Sequence, residues 1–146
     1  MIYSRINLEK TNYKDNLIWK KLNLWPPHSD FNFDILNSIY IKYCRYKKFK
    51  SVMPIFNSEY ADMSNDVIGY YHNRNLVAFS LIRKYDKENI EAVQFAWDYE
   101  NPELKLGIES LKNECAIYKN KGYKYLYLGQ AAEYKKIDGY EELGPI

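Results

Sequence analysis

Apolar residues along this chain change their spacing several times, and each change marks an element. Ile2 to Ile6 alternates and reads as a first strand. Tyr13 to Leu24 carries Tyr13, Leu17 and Leu24, with Ile18 and Trp19, at near-helical spacing, which predicts an amphipathic helix. Trp25-Pro26-Pro27 ends it, because proline lacks an amide donor and pushes the preceding residue out of the α region. Ser29 and Asp30 can cap a second helix. Its stripe of Phe31, Ile35, Leu36, Ile39, Tyr43 and Cys44 runs to about Phe49. Ser51 to Asp66, with Pro54 and several small polar residues, reads as a loop. Three strands follow as a meander: Val67 to His72, Leu76 to Lys84 and Ile90 to Trp97. The polar turns between them are Asn73-Arg74-Asn75 and Asp86 to Asn89.

Gly107 to Lys119 then shows Ile108, Leu111, Cys115 and Tyr118 on one helical face, stopped by Lys121 and Gly122. Tyr123 to Leu128 is aromatic and aliphatic throughout, the pattern of a strand covered on both sides. A short helix, Ala131 to Ile137, and an extended segment, Tyr140 to Ile146, complete the chain. Strand, helix, strand between Phe95 and Leu128 is a βαβ unit, so the two strands should be parallel. Ligands in such sheets sit beyond the carboxyl ends of the strands and near helix N-termini. Function is therefore expected around Trp97 to Gly107 and Leu128 to Tyr134.

The chain has 146 residues and is 47% hydrophobic, which suits one domain, residues 1–146, with a full core. No repeat or linker divides it. A mean hydropathy of -0.58 and the lack of a run of about 18 apolar residues argue against a membrane span. The N-terminus MIYSRINLEK has no apolar signal region. Cys44 and Cys115 are far apart and fit reduced thiols, so a cytoplasmic protein is expected. A formal charge of +2 does not by itself argue for nucleic acid. The basic, aromatic run KYCRYKKFK from Lys42 to Lys50 has two readings. It is the solvated end of a helix, or it contacts phosphates of a nucleotide or RNA. His28 and His72 are isolated, and no His, Cys or carboxylate cluster has metal-ligand spacing, so no metal is expected. No Gly-x-Ser-x-Gly elbow or Walker loop is present.

The element order resembles the GNAT superfamily of acyl-CoA-dependent N-acyltransferases. AAEYKKIDGYEELG, Ala131 to Gly144, is similar to that family's late tyrosine-bearing helix and its Gly-aromatic step, with Tyr134 matching the tyrosine and Gly139-Tyr140 the step. The last half of the chain is similar to the C-terminal domain of arginyl-tRNA–protein transferases. The matching residues are Tyr99-Glu100-Asn101-Pro102, Leu106-Gly107, the YLYLG of Tyr125 to Gly129, and Lys135-Lys136-Ile137. The resemblance implies an α/β (α+β) fold with a mixed, mostly antiparallel central sheet and helices on both faces, in the order β-α-α-β-β-β-α-β-α-(β). It also implies transfer of an acyl or aminoacyl group to a primary amine of a small molecule or peptide by direct attack. The usual acyl-CoA loop begins with Arg or Gln and has two small residues. Here it is Glu103-Leu104-Lys105-Leu106-Gly107-Ile108, with one glycine. Acetyl-CoA, another acyl-CoA and aminoacyl-tRNA therefore stay open as donors. A non-catalytic module of the same fold, recognising RNA or a protein, is the alternative. If the last strand were missing, the open edge would invite pairing into a homodimer.

Acyl transfer needs a held carbonyl, an amine that loses a proton and a leaving group that gains one. Gly107 at a helix start offers free amides from Leu104 to Ile108 to an anion. Trp97 stands at the end of the strand that leads there. Tyr134 is the candidate acid, since a phenol with pKa ~10 stays protonated at neutral pH. Sixteen tyrosines make a packed or surface role the alternative. Glu91 is the candidate base, directly or through water, with a solvent-facing strand carboxylate as the alternative. Gln94, three residues on, would face the other way unless a bulge intervenes.

Overall fold

The computed structural model describes residues 2–22, 33–48, 65–130 and 135–145. Their elements are β1 (Ile2–Asn7), β2 (Trp19–Leu22), α1 (Phe33–Lys47), β3 (Asn65–His72), β4 (Asn75–Lys84), β5 (Asn89–Trp97), α2 (Leu106–Asn120), β6 (Tyr125–Gln130) and β7 (Tyr140–Pro145). The seven described strands form one sheet in the order β2-β3-β4-β5-β6-β1-β7. Only β5 and β6 run parallel, as the βαβ reading requires. The other neighbours are antiparallel. The mixed, mostly antiparallel sheet with helices on both faces is the fold expected from the sequence.

Each helix closes one face of the sheet. Leu36, Ile39, Tyr40 and Cys44 of α1 pack on Val67, Phe79, Leu81 and Ala96. Leu111, Cys115, Ile117 and Tyr118 of α2 pack on Ile6, Ile82, Ile90 and Leu126. The alternation along β4 explains the split, with Phe79 and Leu81 facing α1 and Ile82 facing α2. Both cysteines are free and buried, one under each helix. Asp66, 2% exposed at the start of β3, joins Tyr118 of α2 to β2 and β4. It accepts a hydrogen bond from the Tyr118 hydroxyl at 2.8 Å and lies 3.1 Å from both Lys21 and Lys84. Burial alone would raise its pKa, but Tyr118 and the two lysines outweigh it and hold the carboxylate below its usual range.

The first expected helix is not a helix. Thr11 to Ile18 is irregular, and Trp19–Leu22 is an edge strand paired with β3 from Trp19 opposite Tyr70 to Leu22 opposite Val67. The apolar spacing there serves two different contacts. Leu17 and Trp19 pack beside Ile68 and Tyr70, while Leu22 packs under α1. Strand pairing overrides a weak helical period in a stretch rich in Asn, Asp and Lys. Asn65 and Asp66, expected in the preceding loop, open β3. The final segment is paired as a strand, with β7 against β1. Its entry is fixed at Gly139, which has φ +83. A Cβ there would lie 2.5 Å from the Asn7 carbonyl oxygen, so the Gly-Tyr step anchors β7 to the end of β1. Of the expected helix Ala131 to Ile137, residues 131–134 lie outside the described residues, and Asp138-Gly139 forms a turn. Among the described residues no helix is long and apolar enough to cross a membrane.

Candidate functional site

β5 and β6 pair over three positions only: Asn89 with Tyr125, Ile90 with Leu126 and Glu91 with Tyr127. Beyond these the strands separate. Each carries an irregularity at the point of divergence. On β5 the partner of Leu81 is Gln94 but that of Ile82 is Ala92, so Val93 is an extra residue. On β6 the partner of Ser4 is Gly129 but that of Arg5 is Tyr127, so Leu128 is extra. A bulge bends its strand and increases the local twist. Two bulges at the same level of neighbouring strands pry the pair apart.

The opening is a cleft of about 210 Å³. Val93, Gln94 and Phe95 of β5 form one wall, Leu128 and Lys135 another, and Tyr43 of α1 approaches from the side. Gly107, Ser110, Leu111 and Glu114 of α2 form the third wall. These four recur at helical spacing, so a single face of α2 lines the cleft from its first turn inward.

At the outer end stands the N-terminus of α2. Pro102–Leu104 makes a short 3-10 turn, and Lys105 enters the helix in the left-handed region at φ 48 and ψ 45. That turn occupies two of the amides expected to be free. The Leu104 N–H donates to the Asn101 carbonyl at 3.0 Å and the Lys105 N–H to the Pro102 carbonyl at 3.2 Å. The amides of Leu106, Gly107 and Ile108 remain as the unpaired first-turn donors. The Leu106 side chain is buried, Gly107 lines the cleft, and a Cβ on Gly107 would meet nothing within 4 Å. Leu104 is partly buried against the same cluster as Leu106. Trp97 is 6% exposed in that cluster, with its ring tilted on Tyr99 at 4.1 Å. Its indole is therefore core and does not line the cleft.

At the inner end lies Glu114, which is 3% exposed. Its carboxylate accepts hydrogen bonds from the Tyr70 hydroxyl at 2.5 Å and the Ser80 hydroxyl at 2.7 Å. No cation pairs with it among the described residues. Burial raises its pKa to about 7, against the pull of the Tyr70 and Ser80 hydrogen bonds. Burial, reinforced by the Glu114 charge, also raises the Tyr70 phenol well above its ordinary value, so Tyr70 acts here as a donor. Lys135 donates to the Leu128 carbonyl at 3.0 Å, and burial lowers its pKa.

Glu91 stands elsewhere. It is the last paired residue before β5 and β6 separate, accepts a hydrogen bond from the Tyr85 hydroxyl, and lines a second opening with Tyr3, Ser4, Tyr127 and Gly129. The bulge at Val93 puts Glu91 and Gln94 on the same face, opposite Arg83 and Leu81. Tyr134 lies outside the described residues. Of the basic run, Lys42 to Lys47 form the end of α1, and residues 49–50 lie outside the described residues. Lys42 pairs with Glu100 at 3.0 Å, and Lys47 lies 5.9 Å over Tyr43. Tyr46, 62% exposed, stacks on Tyr99 at 3.6 Å.

Glu114 carries no expectation from sequence, yet a signal for it exists. At about 100° per residue it lies about 40° from Tyr118 and about 60° from Ile117, inside the apolar arc of α2. A carboxylate inside an apolar arc is a buried carboxylate.

Solved structures share this fold. L-PGS from Bacillus licheniformis is 16% identical, with a TM-score of 0.66 over 89% of this chain and 46% of its own. A GNAT family acetyltransferase from Elizabethkingia anophelis, solved with acetyl-CoA bound, is 18% identical, with a TM-score of 0.51 over 80% of this chain and 67% of its own. Saccharomyces cerevisiae N-myristoyltransferase, solved with myristoyl-CoA, is 9% identical, with a TM-score of 0.57 over 95% of this chain and 46% of its own. The chain thus spans about half the length of L-PGS and of the myristoyltransferase. No curated protein matches. The family model described as arginine-tRNA-protein transferase, C terminus, matches residues 28–138. Those residues are most of the chain and include α1, the meander, the cleft and Glu114, so this chain, with its GNAT-like fold, belongs to the arginine-tRNA-protein transferase C-terminal family, a family of transferases.

Proposed function

We propose that the chain transfers an aminoacyl group from the 3′ ester of a tRNA to a primary amine of a peptide or small molecule, by direct attack. The observation that carries this is the cleft between the diverging β5 and β6, reached past the first turn of α2. Family membership supports the ester donor. In this reading the donor's terminal phosphate sits at the amides of Leu106, Gly107 and Ile108. A bulge leaves backbone groups outside the regular ladder, so an amide at Val93 would polarise the ester carbonyl. The amine enters from the opening beside Glu91 and attacks the carbonyl carbon. A C–N bond forms, the ester C–O bond breaks, and a free ribose hydroxyl leaves. Glu91 accepts the proton of the amine and Tyr134 returns one to the leaving oxygen.

Acetyl-CoA or another acyl-CoA is the alternative donor, because two neighbours of this fold hold such thioesters. Titration with acetyl-CoA and with a hydrolysis-resistant 3′-aminoacylamino analogue of the tRNA terminal adenosine separates the two. Tyr134→Phe is expected to lower the transfer rate by roughly 10²-fold or more with no change in melting temperature. Full activity in that variant sinks the mechanism. Binding of neither donor favours the non-catalytic module, recognising RNA or a protein.

A further inference from the structure

The cleft is bipolar. Its outer end carries the unpaired amides and positive dipole end of α2, and its inner end carries the Glu114 carboxylate. Gly107 and Glu114 are seven residues apart on one helical face, about 10 Å along the axis at 1.5 Å per residue. We infer that Glu114 is a specificity-determining residue, which binds the α-ammonium of the aminoacyl group in the cleft and rejects uncharged acyl groups. This rests on the aminoacyl-transfer reading above.

Three observations support the assignment. Glu114 is a wall of the cleft and not a remote core residue. Its partners among the described residues, Tyr70 and Ser80, are neutral hydroxyls on the Oε2 atom, so they orient the carboxylate without neutralising it. The two hydroxyls come from β3 and β4, which pair with each other over eight positions, and this fixes the position of the group. A buried carboxylate costs stability unless a cation meets it, and an ammonium delivered by the donor supplies that cation. A neutral acetyl or fatty acyl group would leave it uncompensated. Discrimination of this sort comes from leaving a buried polar group unpaired in the wrong complex.

The test uses two synthetic probes and the full chain. One is 3′-deoxy-3′-(alanylamino)adenosine 5′-monophosphate, whose amide resists hydrolysis. The other is the same compound with its α-nitrogen acetylated. Calorimetric titration at pH 8 should show the amino probe bound roughly tenfold tighter, the effect of one charge-assisted hydrogen bond. Glu114→Gln keeps the shape and both hydroxyl contacts but removes the charge. It should bring the two affinities together by weakening the amino probe alone. Equal binding of both probes to the unmodified chain overturns the inference and leaves the transfer reading standing. So does a preference that persists in Glu114→Gln. Binding of neither probe overturns the transfer reading and the inference with it. If the variant fails to fold, the preference of the unmodified chain should fade as pH falls below about 7 and Glu114 takes up its proton, and a preference held in full at pH 5 overturns the inference.

Discussion

The two helices cover opposite faces of one sheet, yet they bury different chemistry. The buried positions of α1 are Leu36, Ile39, Tyr40 and Cys44. Those of α2 include Ser110, Asn113 and Glu114 among Leu111, Cys115, Ile117 and Tyr118. A face that only stabilises can be apolar throughout, and α1 packs on Val67, Phe79, Leu81 and Ala96, with Tyr43 alone reaching the cleft. The α2 face crosses the place where pairing stops, and polar groups are buried there beside a cavity. The contrast teaches that the α2 layer gives up stability for its polar content, as functional sites commonly do.

That contrast can be broken from either side. The largest effect is expected on the apolar side. Leu36→Ala removes a fully buried side chain and should cost about 2–5 kcal/mol in urea unfolding, with binding of the amino probe retained in the folded fraction. On the polar side the sign reverses. Glu114 titrates near 4.5 in the unfolded chain and at about 7 in the folded one. Below the first value both states are protonated. Between the two the unfolded chain ionises while the folded chain holds its proton, so stability falls as pH rises, and above about pH 7 the loss is complete. Glu114→Gln cannot ionise and escapes this loss. It should match the unmodified chain at pH 4 and exceed it by about 3 kcal/mol at pH 8, an order-of-magnitude figure read from denaturation midpoints. A variant less stable at pH 8 would show that the carboxylate is paired and stabilising.

A smaller effect sharpens the same comparison within α2. Gly107 is helical and its missing Cβ faces open space in the cleft wall. Gly107→Ala should raise stability by about 0.5–1 kcal/mol through helix propensity. The added methyl should also weaken the probe's phosphate contact. Gain of stability with loss of affinity is the expected pair of results. Unchanged affinity would move the donor away from the first turn of α2.

Much of this layout was legible in the chain. The α1 stripe, the hairpin at Asn73-Arg74, the parallel return of β6 and the helix start beside Gly107 all follow from local periodicity and turn chemistry, which need no partner to be read. Trp19–Leu22 did not follow, because a four-residue edge strand is defined by its pairing with β3, a contact about fifty positions away in sequence. The bulges at Val93 and Leu128 were hidden for a related reason. A bulge is a mismatch between two strands, and neither strand alone records it. Glu114 was half visible. Its place on the helical wheel marks it as buried, but its polar partners Tyr70 and Ser80 sit within the apolar central stretches of β3 and β4, where a hydroxyl reads as incidental.

The two buried thiols turn the contrast between faces into something kinetic. Cys44 lies under α1 and Cys115 under α2, and burial, with the neighbouring Glu114 charge, pushes the Cys115 thiol far above its ordinary pKa. Neither can meet a maleimide until its own helix lifts from the sheet. Labelling therefore proceeds at the opening rate of each layer, resolved by which cysteine gains mass. If a bound donor braces the cleft, Cys115 slows and Cys44 does not, and the chain's own two thiols report occupancy of one face.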